Sequence, residues 1–412
     1  MVATETRAVV VVGAGPAGAA TAILLTRAGH DVLLLDRATF PRDKPCGEYS
    51  SPQTIEILRR LGVAAAVEQL PPHHLHGMRV YAPNGTHYTV DYHAVTGEHY
   101  ALSIPRLSLD NVIVEGAKRQ GVTVREGVRV KAVGPYADGG RTLTVQTRAG
   151  ERQIRANLVI GADGHHSVVA KGAGLAAARW QHRWPRRVGV MAHYENVTTM
   201  DRYGAMVVGP RGFHGYSGIA PLGGGLANVA FVVDMRAMKR RGVSMEQFFA
   251  QSIAALPPVR DALIGARRVG KIHGVGPLAQ GARRAVEDGV LLVGDAAVYL
   301  DPFTGEGVYK ALRGAELAFD VADQALQVGR TDVTMLRPYL AARRQAFAEK
   351  TLANYLVQLF VHIPPLMNYV TPRLGSRPAL ARRLVLVLGD LGTKREQRGL
   401  FSPVYLWNLL RP

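Results

Sequence analysis

The sequence predicts an α/β fold: a mostly parallel sheet collected from three separated stretches of chain, an inserted antiparallel sheet, and a helical C-terminal region. Three observations carry this. An apolar β-branched run, Val9 to Val12, ends in the turn Gly13-Ala14-Gly15-Pro16-Ala17-Gly18 and leads through a helix-forming segment to a second apolar run. Two more apolar runs end in glycine turns of their own, near residues 161 and 294. Between residues 188 and 234 strand patterns follow one another without an intervening helix, the mark of an antiparallel sheet.

The first unit is the most informative. Val9 to Val12 reads as a buried parallel strand, Ala19 to Ala28 as a helix ending near Gly29, and Val32 to Leu35 as a second buried strand closed by Asp36. This is a βαβ unit. Gly13 permits the tight turn, Gly15 lets the backbone approach a pyrophosphate at the helix N-terminus, and Gly18 lets helix and strand pack closely. Asp36 falls where a carboxylate accepts both hydroxyls of an adenosine ribose. A glycine turn alone is a weak signal; with both strands, the helix and the terminal acid it specifies a dinucleotide site, without choosing between NAD and FAD.

Arg37 to Pro52, through Arg42 and Lys44-Pro45-Cys46-Gly47-Glu48-Tyr49, is a loop rich in proline, placed to lie along the cofactor, and Gln53 to Leu61 a short helix. Met78 to Tyr92 alternates around Asn84-Gly85, a hairpin signal for a different sheet. Pro105 to Asp110 opens an amphipathic helix, and Val122 to Val133 reads as a strand returning to the parallel sheet. Leu143 to Gln146 and Arg152 to Leu158 form a small meander running into Val159-Ile160-Gly161-Ala162-Asp163-Gly164. Strands follow at 188–194, 205–208, 215–220 and 226–233; His193, Tyr194, Tyr203, Phe213 and Tyr216 are available to line a pocket, most of them expected to be ordinary sheet residues. Met245 to Ile253 is helical, Gly289 to Val293 is a buried strand ending at Gly294-Asp295, and a helix runs from about Val308 to Leu326. The rest is helical: Met335 to Leu359, a break at Pro364-Pro365, Leu380 to Leu388 and Tyr405 to Leu410. The expected division is 1–75, 101–185 and 275–330 for the cofactor domain, 76–100 and 186–274 for the substrate domain, and 331–412 for the helical region.

Composition bounds the function. The single cysteine, Cys46, excludes an intramolecular disulfide framework and a Cys-based zinc cluster and fits a reducing compartment, and no metal site is expected. Met1 to Arg7 is polar and the apolar run after it is too short to span a bilayer, so a cytoplasmic protein is expected. The net charge of +18 comes from basic residues spread along the chain, with local concentrations at Arg179 to Arg187, at Lys239-Arg240-Arg241 and in the last 70 or so residues around Arg343, Arg344, Arg382 and Arg383. No helix-turn-helix or interleaved aromatic and basic stripe accompanies it, so nucleic acid is not the expected partner. A polyanionic cofactor or anionic lipid headgroups suit the charge better, with peripheral membrane contact through the basic, apolar C-terminal region.

Three glycine turns at three strand ends would converge on one elongated ligand. Asp295 can accept from a sugar or ribityl hydroxyl; the helix after Gly305 aims its free amides at whatever lies before it, which suits the N1 and O2 edge of a flavin; Pro302 stiffens the loop where the ring would stack. Gly13 to Gly18 with Asp36, Gly161-Ala162-Asp163-Gly164 with Ser167, and Gly294-Asp295-Ala296-Ala297 with Pro302 and Gly305-Glu306-Gly307 resemble the three FAD fingerprints of the group A flavoprotein monooxygenase superfamily. Lys44-Pro45-Cys46-Gly47 and Pro302 to Gly307 resemble its geranylgeranyl-reductase-like branch. The resemblance implies an FAD/NAD(P)-binding Rossmann-like (three-layer ββα) domain with an inserted antiparallel-sheet substrate domain, FAD as cofactor and NAD(P)H as transient electron donor. It implies that Arg106 contacts FAD and that Arg42 reaches its pyrophosphate.

The first expectation for the reaction is an oxygen-using monooxygenase that hydroxylates or epoxidises a hydrophobic small molecule, with Cys46, Glu48, Tyr49, Tyr216 and Pro302 as pocket candidates. The alternative is a reductase of isoprenoid double bonds with Cys46 beside the flavin. Prenyl reductases line their tunnel with a tyrosine-tryptophan-phenylalanine-proline-lysine strand, whereas Gly215 to Leu222 has neither the tryptophan nor the lysine. A halogenase and a non-redox binding protein rank below both.

Overall fold

The computed structural model describes residues 4–71, 73–177, 186–198, 200, 202–279, 281–299, 301–389, 391 and 402–411. The basic segment expected from Arg179 lies largely outside them.

The apolar runs pair as predicted, because a strand with apolar side chains on both faces is stable only inside a sheet covered on both sides. β1 (Glu5–Val12) sits between β2 (Val32–Leu35) and β11 (Gly150–Gly161); β8 (Thr123–Arg125) lies outside β2, and β18 (Val290–Leu292) then β17 (Val286–Glu287) lie outside β11. Val10 is opposite both Leu33 and Val159, and Val159 is opposite Val290. The second stretch of the meander and the apolar run before Gly161 are one strand. The first half of β11 pairs antiparallel with β10 (Gly140–Thr147), which pairs with β9 (Arg129–Ala137), and its last three residues reach β18. The single strand expected over Val122 to Val133 is corrected to two, β8 and β9. Gly127 turns there with φ +70°, and the amides of Gly127 and Val128 bond to Ala38 and Asp36, which sends β9 to the meander.

The second sheet runs β16 (Arg267–Val275), β12 (Arg187–Glu195), β15 (Leu226–Asp234), β14 (Gly215–Gly223), β13 (Tyr203–Val208), β5 (Gly77–Tyr81), β6 (His87–Asp91). The hairpin β5–β6 joins it through a parallel β5–β13 pairing. β16 was not anticipated: it is an edge strand whose side chains are mostly exposed or half-buried, so it lacks an apolar pattern. A small third sheet, β3 (Tyr49–Ser50), β7 (Ala101–Ser103) and β4 (His73–Leu75), is too short to show any period.

The helix after the first turn is Pro16–Arg27, with proline at its start, and the helix after the third is Gly307–Val328. The expected 335–359 helix is split before Pro338 into Val333–Leu336 and Pro338–His362. Pro364–Ser376 is helical despite the internal Pro372, and Pro378–Leu388 and Pro403–Leu410 complete the tail. Three apolar cores result. One fills the parallel lobe, one fills the outer face of the antiparallel sheet against the helices of residues 248–262, and one joins that sheet's inner face to the C-terminal helices.

Candidate active site

The carboxyl ends of β1, β11 and β18 converge on a cavity roofed by the inner face of the antiparallel sheet. At the first turn Gly13 has φ +99°, and a β-carbon there would stand 2.5 Å from the carbonyl oxygen of Ala162; one on Gly18 would stand 1.8 Å from that of Gly13. Gly15 differs. Its β-carbon would meet only Arg42 Nη2 at 3.5 Å, so the turn is closed on its protein side and open toward the cavity that Gly15, Pro16 and Ala17 line. The Pro16–Arg27 helix has no side-chain N-cap and no acid in its first turn, leaving its amides and positive dipole end for an anion.

Asp36 is buried and outside the cavity wall. Its oxygens accept from the amides of Ala14 at 2.8 Å and Ala38 at 2.8 Å, so it shapes the glycine turn and the loop after β2 together. Arg42 stands between two acids, 3.1 Å from Asp110 and 4.0 Å from Asp36, stacked over Phe40 beside the open side of Gly15. Arg37 is exposed and lines no part of the cavity.

At the second turn Ala162, Gly164 and His165 reach the cavity while Asp163 turns away. Asp163 accepts from the amides of Val168 at 2.7 Å and Val169 at 3.2 Å, capping the helix Val168–Gly172; its second oxygen is buried without a partner. Burial raises its carboxyl, opposed by Ser167 and these amides. Asp163 is thus placed at the helix start, beside the cavity-lining residues Ala162 and Gly164.

At the third turn Gly294 and Asp295 line the cavity, and Asp295 meets Lys44 at 3.2 Å. Pro302 opens a turn of 3₁₀ helix, capped by Asp301, that ends at Gly305 (φ +66°). A β-carbon on Gly305 would lie 2.3 Å from the Tyr49 ring. Gly307 and Val308 line the wall at the start of their helix, whereas Glu306 turns back into the protein. Glu306 is held by Lys350 at 2.5 Å and by Lys310 at 2.8 Å; burial works against its charge, but the two ammonium groups keep its carboxyl below the ordinary range. Glu306 therefore supports the loop from behind the cavity wall.

The remaining walls are apolar. Met78, Met206 and Val232 line the cavity together with Cys46, Tyr49 and Tyr216. Tyr49 donates to Tyr92 Oη at 3.1 Å, and Tyr216 donates to Asp301 at 2.5 Å with its ring edge-on to Phe303. Glu48 is corrected as a pocket candidate. It is buried beneath the wall with φ +55°, where it accepts from the Arg106 amide at 2.9 Å, Asn228 at 3.0 Å and His193 at 2.6 Å, which raises the imidazole's proton affinity. Arg106 does line the cavity, clamped on Asp110 by two bonds of 2.7 Å.

Sequence reasoning passed over Lys44, His165 and Tyr299, which also line the cavity. The first two stand inside motifs it quoted, and a cation or imidazole beside a phosphate-binding turn is itself a signal. It also missed Arg187, fully buried, which donates to Asp301 at 3.1 Å and Gln358 at 2.6 Å. Nothing local in the sequence pairs that arginine with residues so far along the chain.

An elongated dinucleotide fits this arrangement: an open glycine turn before an uncapped helix, a carboxylate at the middle turn's neighbour, Asp295, and a second helix start at the far end. A family model described as an FAD binding domain matches residues 6–354. The menaquinone reductase of Mycobacterium tuberculosis is 31% identical over 351 residues, covering 82% of this chain and 80% of that one. Digeranylgeranylglycerophospholipid reductase 2 of Methanopyrus kandleri is 31% identical over 345 residues, covering 80% of each. Among solved structures, a geranylgeranyl bacteriochlorophyll reductase-like protein of Thermoplasma acidophilum superposes with TM-score 0.78 at 20% identity, covering 98% of each chain, and a flavin-dependent brominase with TM-score 0.81 at 19% identity, covering 93% of this chain and 94% of that one. The glycine turns, the cavity they enclose and these relatives together place the chain in the FAD-binding-domain family, as a flavoprotein oxidoreductase of the geranylgeranyl-reductase-like branch.

Proposed function

We propose that the chain reduces a carbon–carbon double bond in an isoprenoid-type hydrophobic substrate, using NAD(P)H as electron donor and FAD as carrier. The observation that carries this is the apolar cavity between the third glycine turn and the inner face of the antiparallel sheet, with Cys46 in its wall. The 31% identical relatives named as menaquinone and digeranylgeranylglycerophospholipid reductases support it. This reverses the order of the two expectations drawn from sequence.

FAD, when bound, supplies hydride transfer between donor and substrate. The chain's residues would do the rest. Gly15 and the start of the Pro16–Arg27 helix would hold the pyrophosphate, with Arg42 alongside; Asp36 would take the ribose and Asp295 the ribityl chain. The backbone from Gly305 to Gly307 would face the flavin's electron-rich edge. Met78, Met206 and Val232 would exclude water and align an apolar chain, which favours transfer to carbon over loss to solvent.

A second reading, the oxygen-dependent monooxygenase, draws on β14: it presents Tyr216, Gly218 and Ala220 to the cavity and no tryptophan. One experiment separates the two. The holoprotein is reduced with NADPH or NADH without oxygen, then mixed with a prenylated quinone or geranylgeranyl lipid. Rapid return of the oxidised flavin spectrum, with a product heavier by two hydrogens, is the expected result. If reduced flavin persists until oxygen is admitted, and the product then carries one oxygen atom, the monooxygenase reading replaces this one.

A further inference from the structure

We infer that the helix Pro403–Leu410, with the arginines around it, docks this protein onto an anionic lipid surface. The helix is inside out for a water-facing element. Tyr405 and Leu409 are buried beneath it, while Val404, Trp407 and Leu410, at three-residue spacing on the other side, are 67%, 69% and 44% exposed. A solvated helix normally keeps polar residues on that face. An indole on an exposed apolar stripe suits the boundary between headgroups and acyl chains, where its ring is buried and its N–H stays wet.

The helix end is finished in a way that suits such a medium. Carbonyls at a helix C-terminus need partners wherever water is scarce. Here the carbonyl of Leu410 accepts from Tyr369 at 2.7 Å, that of Arg411 from Arg373 at 3.3 Å, and that of Asn408 from Arg377. These partners come from the neighbouring helix Pro364–Ser376 and the residue after it, so a rigid surface of aromatic and cationic groups surrounds the apolar stripe.

Charge selects the occupant. From residue 351 onward the sequence holds eight lysines and arginines and two acidic residues, with Arg382 and Arg383 exposed on the adjoining helix Pro378–Leu388. A second copy of the chain would bring the same positive charge to the contact. An anionic leaflet brings the opposite charge and accepts the apolar stripe as well. The core under the stripe is also the core behind the cavity: Tyr405 and Leu409 belong to one apolar cluster with Met206, Tyr216 and Val232. A membrane-dissolved substrate would thus meet the protein on the lobe that encloses its site.

The inference stands apart from which reaction is catalysed. Flotation of the full-length holoprotein with vesicles tests the docking; turnover on detergent-dispersed substrate tests the reaction. Vesicles of phosphatidylcholine alone are compared with vesicles that also contain phosphatidylglycerol. Partition onto the anionic vesicles, weakened by salt and reduced about tenfold by the pair Val404→Ser and Trp407→Ser, is expected. The pair Arg382→Glu and Arg383→Glu should erase the preference for anionic lipid, and retained flavin absorbance shows that each variant is folded. Absence of partition, or partition that neither pair changes, overturns the proposal. So does a dimer in sedimentation velocity that the Val404 and Trp407 substitutions dissolve, since that would make the stripe a contact between copies.

Discussion

Arg187 carries its charge into a site with no solvent, where Asp301, Gln358 and His362 meet it and the Tyr216 ring lies beneath its guanidinium. Such an ion pair adds little net stability, yet removing one partner strands the other. Arg187→Met should therefore cost about 3–5 kcal/mol in a urea titration, and the double variant with Asp301→Asn should recover much of that loss. Equal losses in single and double variants would show that the charge pair is not the source. His165 gives a pH dependence. Burial, with His166 beside it, holds its imidazole down to about 4, against an ordinary 6.5. Below 6.5 the unfolded chain binds a proton that the folded chain refuses until about 4, so stability present above 6.5 drains away as pH falls through that interval. His165→Gln should flatten the urea midpoint between those limits, and an unchanged slope would remove His165 from the account. At this scale the sequence was legible where a residue's role is local. Gly18 meets Gly13 within six residues of chain and Gly13 takes a φ of +99° itself, whereas Glu48 and Arg187 take their constraint from partners on other elements.

The Pro338–His362 helix turns a stripe of polar side chains inward. Lys350, Asn354 and Gln358, one turn apart and buried, reach Glu306, the carbonyl of Asp301 and Arg187. Together they hold the loop from Asp301 to Glu306 against the cavity from behind. Lys350→Met would leave Glu306 with Lys310 as its nearby cation in a dry site, and the loop should give way before the helix does. The expected outcome is a lower flavin content on purification with far-UV circular dichroism unchanged, while Gln345→Ala on the exposed face leaves flavin content alone. A full flavin complement in Lys350→Met would show that the loop does not depend on this contact. Element existence was readable from apolar period, as in β1, β2 and the Gly307–Val328 helix. The inward stripe was not, because lysine, asparagine and glutamine at helical spacing look the same whether they face water or a loop that needs donors. β16 failed for the converse reason: a strand at a sheet edge has no apolar face to advertise.

The whole molecule is built so that no lobe is finished by itself. The C-terminal helices and the inner face of the antiparallel sheet share one apolar core, and among the described residues no helix is long and apolar enough to cross a membrane. Ending the chain before Pro338 would open that core, take Gln358 and His362 from Arg187 and take Lys350 from Glu306. Such a fragment should aggregate rather than yield a smaller holoprotein, and a monodisperse, flavin-loaded fragment in size-exclusion chromatography would contradict this. That the tail and the sheet lobe are one unit was beyond sequence pattern, since contacts between distant stretches leave no periodicity. The parallel sheet has a consequence in time. Its three central strands come from residues 5–12, 150–161 and 290–292, and Val159 finds its partner Val290 only after another 130 residues have been made. On the ribosome, the first glycine turn therefore waits through most of translation for the strand that completes its binding face. Nascent chains stalled before Val290 should not retain FAD, and the incomplete sheet, with β11 as its open edge, is the species a chaperone would have to guard.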